Sequence, residues 1–250
     1  MKVAVLFILI SGVAGLSGCA NMRPSVRNVD FSETPELAEL AFRARQIGNE
    51  NYPRVLTLLP DATSKLHRRF DIVFKKQIAG NAAQTIGTRI YLNGSWYGSN
   101  ALSLELDLTH EMAHVAQQHT GESTWYWTEG LAAYVCYKLG CTNGPTGPQV
   151  EPATPHYTAG YWCTGAFLVF LDQVYGQQVV QRLNVELRKN SYSDRMFTEA
   201  TGRSLDDLWK EFQSTPAYKP PNKSLPTPGS VGSSAARFTS LGPAWLSCFR

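Results

Sequence analysis

The sequence has little charge and no marked excess of either sign. Charged residues make up 17% of the 250, and the formal net charge is +3 with histidine neutral. No run of basic residues stands out, so the charge pattern suggests neither nucleic acid nor an acidic membrane surface as a partner. No apolar run approaches the roughly 20 residues that a membrane-spanning helix needs, and there is no internal repeat. Histidine and cysteine are both scarce, five of each, so the places where they fall carry information. Hydrophobic residues, at 43%, are plentiful. That content suits one globular domain with a substantial core, with or without tails.

The first residues read as an export signal. Lys2 precedes an apolar stretch from Val3 to Leu16, and small residues follow at Ser17 and Gly18, the layout of a signal peptide. Leu16-Ser17-Gly18-Cys19 also resembles a bacterial lipobox, in which the cysteine is acylated and becomes the mature N-terminus. An ordinary signal peptide with an incidental cysteine is the alternative. Ala20 and Asn21 supply no aspartate of the kind that retains lipoproteins in the inner membrane. The expected location is therefore the bacterial cell envelope, lipid-anchored through Cys19, with the outer membrane favoured. Four cysteines remain, Cys136, Cys141, Cys163 and Cys248. An even number in an exported chain suggests structural disulfides, and four allow three complete pairings.

The expected organisation is a signal peptide over 1–18, a tether over 19–32, one domain over 33–214 and a Pro/Ser/Gly-rich tail over 215–250. Within the domain, apolar spacing predicts a helix from Pro35 to Ile47. Phe70 to Phe74 alternates as a strand, and Thr85 to Leu92 gives a second one. Gly94 to Asn100 breaks the pattern. From Ala101 onward the chain reads as helical, first through a segment that is apolar around much of its circumference. A second helix from Trp127 to Leu139 is stopped by Gly140. A Gly/Pro-rich loop over 141–155 then leads to four more helices, Tyr157–Tyr175, Val179–Lys189, Asp194–Ala200 and Leu205–Phe212. The fold class expected is α+β.

The chemistry concentrates in His110-Glu111-Met112-Ala113-His114. Two histidines four apart on a helix project from one face, one turn apart, and can both reach one metal ion. Glu111 lies beside the first of them, where a carboxylate can take a proton from a zinc-bound water and deliver it to a leaving amine. This is the H-E-x-x-H pattern of zinc proteases. Two histidines and a glutamate without partners would also be costly to bury on so apolar a helix. The third ligand of a metzincin would need a glycine and a histidine where Gln117 and Thr120 stand, and His119 is out of register. The better source is Glu129, in the first turn of the following helix, with Glu122 in the connection over 119–126 as a weaker rival. Two histidines and one glutamate suit zinc, one ion per chain.

Several stretches together resemble the basic secretory protein family, the peptidases of plants and bacteria. They are HEMAHVAQ, the WTEGLAAYV helix start, YTAGYWCTGAFLVFL, VVQRLNVELRK and FTEATGRSLDDLWKEF, in that order within about Ile90 to Phe212. The resemblance implies a zincin-like domain of gluzincin type, a zinc ion held by His110, His114 and Glu129, and Glu111 as the catalytic base. It implies peptidase activity on a peptide or protein substrate. One departure stands out: Ala133 occupies a position where the family pattern has an aspartate, which would orient a ligand histidine. Asp107, one turn before His110, could compensate. The rival reading is a catalytically weak or inactive envelope lipoprotein that binds a protein through the cleft. Tyr157, Tyr161 and His156 are candidates for stabilising an oxyanion, although Tyr161 and Trp162 also suit packing against the zinc helices. The strand near Arg89–Leu92 is a candidate edge for pairing with an extended substrate, with Trp96 and Tyr97 near the cleft.

Overall fold

The first element among the described residues is a strand where the sequence suggests a tether. A computed structural model describes residues 23–60, 67–119, 124–141 and 156–215. Strand β1 (Ser25–Asp30) is followed by a 3-10 turn at Pro35–Leu37 and the long helix α1 (Ala38–Leu58). Then come β2 (Arg69–Lys75), β3 (Ala83–Ile86), β4 (Arg89–Asn93) and the short helix α2 (Gly94–Tyr97). A 3-10 turn at Ala101–Ser103 leads into α3 (Leu104–Gln117), and α4 (Trp125–Leu139) follows. The last helices are α5 (Tyr161–Tyr175), α6 (Gln177–Arg188), α7 (Arg195–Thr201) and α8 (Leu205–Ser214). The result is α+β, as expected: a small mixed sheet and a mostly helical remainder. The signal segment, Cys19, Glu122, Cys248, the loop over 142–155 and the tail over 216–250 lie outside the described residues.

The sheet has the order β1-β2-β4-β3, with β1, β2 and β4 parallel and β3 antiparallel to β4. Strand β2 is its centre. Phe70, Ile72 and Phe74 on one face are essentially inaccessible to solvent. On the other face Asp71 accepts hydrogen bonds from the Arg27 guanidinium at 2.5 and 2.8 Å. Hydrogen bonding and charge from Arg27 hold the Asp71 carboxyl below the usual range against the effect of burial. Arg27 belongs to β1, so residues 25–30, within the stretch expected as a tether, pair with the centre of the sheet. Val26 is buried, and its backbone N–H donates to the Asn49 side chain of α1 at 2.9 Å.

The single strand expected from Thr85 to Leu92 is instead a hairpin. Gly87 sits at φ +60, in the left-handed region that glycine enters without a steric penalty, and the chain reverses there. The expected α1 runs on to Leu58, and α4 begins two residues before the predicted Trp127, at Trp125. Gly140 does end α4, at φ +68, its N–H donating back to the carbonyl of Tyr137.

Helix α3 is the hub. Leu104, Leu108, Met112, Ala113, Val115 and Ala116 have no measurable exposure, and the helix packs on α1, α4 and the β3–β4 hairpin. Its final carbonyls, which have no partner within the helix, are taken by α6. Arg188 donates to the carbonyls of Ala116 at 2.6 Å and Gln117 at 3.1 Å, placing a cation at the negative end of the helix dipole. Helices α4 and α5 meet still more closely. A Cβ added at Gly130 would lie 2.4 Å from Thr164, and one at Gly165 would lie 2.7 Å from the Ala133 Cβ.

The described cysteines do not form disulfides, contrary to expectation. The Cys136 sulfur instead meets the carbonyl of Leu106 at 3.6 Å, Cys141 the Thr109 hydroxyl at 3.5 Å, and Cys163 the carbonyl of His156 at 3.7 Å. Each thiol is turned toward an oxygen on a different stretch of backbone or side chain. Among the described residues no helix is long and apolar enough to cross a membrane.

The place of β1 is testable by truncation. Burying a valine side chain contributes about 1.5–3 kcal/mol. A chain beginning at residue 32 should therefore be at least about 2 kcal/mol less stable than the full chain in urea unfolding. Equal midpoints for the two would return residues 25–30 to the status of a tether.

Candidate metal centre

His110 and His114 leave α3 on the same face, one turn apart, as their spacing requires. Their rings are 4.9 Å apart, nearly perpendicular. Glu129 approaches from α4, and its Oε2 lies 3.0 Å from the His110 Nε2 and 3.5 Å from the His114 Nε2. One ligand atom from each residue falls within 4.8 Å of the other two, so the cluster could hold a metal ion. Two imidazole nitrogens and one carboxylate oxygen, partly buried and converging on one point, fit the donor set of a mononuclear site. Because α4 starts at Trp125, Glu129 lies beyond its first turn rather than within it.

The three groups are electrostatically coupled. Burial works against protonation of His114, but hydrogen bonding to Glu129 and the Glu129 and Glu111 charges outweigh it and raise its pKa to about 9. For Glu129, burial favours the neutral acid, and the two histidines overcome this to hold the carboxyl far below its usual range. Without a metal, the cluster is thus a partly buried ion pair.

Glu111 is buried beside the cluster, and its Oε2 accepts a hydrogen bond from the Thr85 hydroxyl at 2.6 Å. Thr85 lies on β3, an edge strand of the sheet among the described residues. The Asn93 N–H donates to the carbonyl of Ala82 at 2.9 Å. By antiparallel alternation, the backbone groups of Ala83 and Thr85 then point away from β4. The expected edge at Arg89–Leu92 is corrected on this point: β4 is enclosed between β2 and β3, because the turn at Gly87 folds β3 back along it.

A cleft of about 990 Å³ runs over these residues, lined by His110, Glu111, His114 and Glu129 together with Ala82 and the β3 residues Ala83 to Thr85. No lysine or arginine is among the described residues that line it. Tyr161 lines it and stacks on His110, ring centroids 6.2 Å apart and planes within 16°. Its backbone φ of +40 is unusual for a residue with a side chain. Tyr157 and His156 do not line the cleft; Tyr157 is buried and stacks on Trp127 at 5.6 Å, and the His156 ring packs against Tyr157 at 3.8 Å. Trp162 packs edge-on against Tyr137 of α4. Trp96 lines the cleft, whereas Tyr97 is fully buried beneath it. The Tyr97 hydroxyl donates to Asp107 at 3.0 Å. Asp107 is buried, and burial raises its pKa despite hydrogen bonds from Ser103 and Tyr97. Its carboxylate is engaged with those two side chains.

Two residues with no assigned role in the sequence reading complete the surroundings. Gln117 accepts a hydrogen bond from the His114 Nδ1 at 2.7 Å and donates to the carbonyl of Thr128 at 2.7 Å. It is three residues after His114, so helical spacing alone places the two side chains together. His119 has one ring nitrogen 3.0 Å from the Thr128 hydroxyl and the other 3.2 Å from the Asn184 side chain. Burial holds its pKa down at about 4. It is a neutral part of the cleft wall. Ala133 faces Gly165 in the α4–α5 contact rather than the cleft.

A family model described as "Peptidase of plants and bacteria" matches residues 76–212, more than half of the chain, and spans the whole of this site. The chain belongs to this family. Within the span matched by this family of peptidases of plants and bacteria, His110 and His114 lie on α3, Glu129 lies on α4, and β3 borders the cleft. The comparison with curated proteins gives no match, and neither does that with solved structures.

The ion pair gives the metal-free chain a distinct pH profile. A pKa raised in the folded state stabilises the fold fully below the ordinary histidine value of 6.5 and ceases to do so as the pH rises through about 9. Glu129, with its pKa depressed, contributes above its ordinary 4.5 and loses that contribution only in acid. The chelator-treated protein should therefore lose on the order of 2 kcal/mol between pH 6 and pH 9.5 in urea unfolding. His114→Ala should flatten that slope, and an unchanged slope in this variant would refute the assignment.

Proposed function

We propose that this chain is a zinc-dependent peptidase of the zincin type, with the two-histidine, one-glutamate site of a gluzincin. The observation that carries the reading is the convergence of His110, His114 and Glu129 beside a buried carboxylate, at the floor of a cleft bordered by the strand that is outermost in the sheet among the described residues. Zinc suits this donor set best among the common divalent ions. When bound it supplies Lewis-acid polarisation of a carbonyl and a water made acidic enough to ionise near neutral pH.

Substrate binding is assigned to β3. An extended peptide pairing with the outward backbone groups of Ala83 and Thr85 would cross the face of α3 that bears the histidines. The absence of lysine and arginine from the described lining suits an uncharged peptide backbone better than an anionic ligand. Glu111 is the general base: it takes the proton of the attacking water and passes it to the amine as the peptide bond breaks. Thr85 holds the Glu111 Oε2, which fixes the carboxylate plane and leaves the other oxygen for the proton. Of the three aromatic candidates, Tyr161 is the one in the cleft, and its phenol is assigned to the oxygen on which negative charge develops.

Lipid anchoring through Cys19 at the bacterial envelope is part of the same proposal, supported by the Leu16-Ser17-Gly18-Cys19 sequence. Substrates would then be peptides or proteins of the periplasm or cell surface.

The test follows metal content and casein hydrolysis together in the wild type and Glu111→Gln. One zinc per chain is expected in both, with hydrolysis abolished by a chelator and lowered 10²–10⁴-fold in the variant. Thr85→Val should lower kcat about tenfold with zinc content unchanged, the loss of one charge-assisted hydrogen bond. Zinc in both proteins with no hydrolysis of any peptide pool would point to the partner-binding alternative, and no zinc in either would end the proposal.

A further inference from the structure

Gln117 touches both helices that carry the metal-site residues. Its Oε1 lies 2.7 Å from the His114 Nδ1 on α3, and its Nε2 lies 2.7 Å from the carbonyl of Thr128 on α4, the residue before Glu129. The side chain is 1% exposed, so water does not compete for either bond.

The chemistry of the far partner fixes the orientation of the amide. A backbone carbonyl only accepts, so the NH₂ group of Gln117 must face Thr128 and its oxygen must face His114. An amide oxygen also only accepts, so the His114 Nδ1 must carry a proton. In the neutral ring the lone pair is then on Nε2. That is the nitrogen facing the Glu129 oxygen, 3.5 Å away. The main chain at Gln117 is itself held by Arg188 of α6, which donates to its carbonyl at 3.1 Å.

We propose that Gln117 is the positioning residue of the metal centre: its carboxamide fixes the tautomer and ring orientation of His114 and ties α3 to α4 at Glu129. The inference rests on the zinc reading above. It assigns to Gln117 the task that the sequence pattern places at position 133, where Ala133 is committed to packing against Gly165. Groups that orient a ligand histidine in this way typically account for 10–100-fold in metal affinity.

The experiment compares zinc affinity, by competition with a chromophoric chelator, in the full wild-type chain, Gln117→Met and Gln117→Glu. Urea midpoints of the metal-free proteins are measured alongside. Gln117→Met keeps the length but loses the amide, and its affinity should fall 10–100-fold. Gln117→Glu keeps an acceptor for the His114 Nδ1 but cannot donate to Thr128 when ionised. It should hold zinc within about threefold of wild type while its midpoint drops. A Met variant that binds zinc within twofold of wild type overturns the role, and so does a Glu variant as weak as the Met variant. If the Met variant does not fold, the Glu variant decides alone: affinity within about threefold supports the role, and any larger loss overturns it. A wild type that takes up no zinc sinks the metal centre and this role together, whereas normal uptake in wild type and Met variant sinks this role only.

Discussion

Helix α3 is buried along most of its length and yet carries His110, Glu111 and His114, together with Asp107 one turn earlier. Removing such groups from water is expensive unless each finds a partner, and much of the surrounding structure answers that requirement. Glu129 pairs with both histidines, Thr85 with Glu111, Tyr97 with Asp107, and Gln117 with His114. These partners come from four elements: Thr85 from the hairpin, Tyr97 from α2, Gln117 from α3 itself and Glu129 from α4. The polar network therefore constrains how sheet and helices meet, while the apolar remainder of α3 supplies the burial. Desolvation and pairing act in opposition on the same residues, and the shifts at His114 and Glu129 show pairing prevailing there.

Much of the site was legible in the sequence because helical geometry is local. His110, Glu111 and His114 are fixed relative to one another by a single turn and a neighbouring position, so their spacing contains their arrangement. Glu129 was reachable because a short connection forces α4 back alongside α3. Gln117 was legible on the same grounds, three residues from His114, whereas its bond to Thr128 depends on how α4 packs on α3. Thr85 was not legible. Its contact with Glu111 spans 26 positions and depends on which strand forms the sheet edge, a tertiary fact.

The fold was readable where periodicity was strong and misread where burial was one-sided. In β2 the alternation of Phe70, Ile72 and Phe74 gave the strand directly. In β1 only Val26 is fully buried, so its sequence resembles a polar linker, and parallel pairing with β2 is what makes it a strand. The hairpin looked like one strand because Thr-Ile-Gly-Thr-Arg-Ile keeps β-forming residues on both sides of Gly87. The cysteines show the same limit. Their number suggested covalent links, whereas the sulfurs of Cys136, Cys141 and Cys163 face separate oxygens in the folded chain.

The guanidinium of Arg188 reaches across from α6 to the last carbonyls of α3, and this has a dynamic consequence. Exchange and local opening in proteins proceed by cooperative units rather than by single bonds. Detaching α6 would leave the end of α3 uncapped, two turns or less from His114, and would remove Asn184 from His119 in the cleft wall. Helix α6 and the centre it does not directly line thus belong to one opening unit. Proteolytic nicking or a destabilising change far along the chain would be felt at the histidines as a loss of order, even though the separation in sequence is about seventy residues.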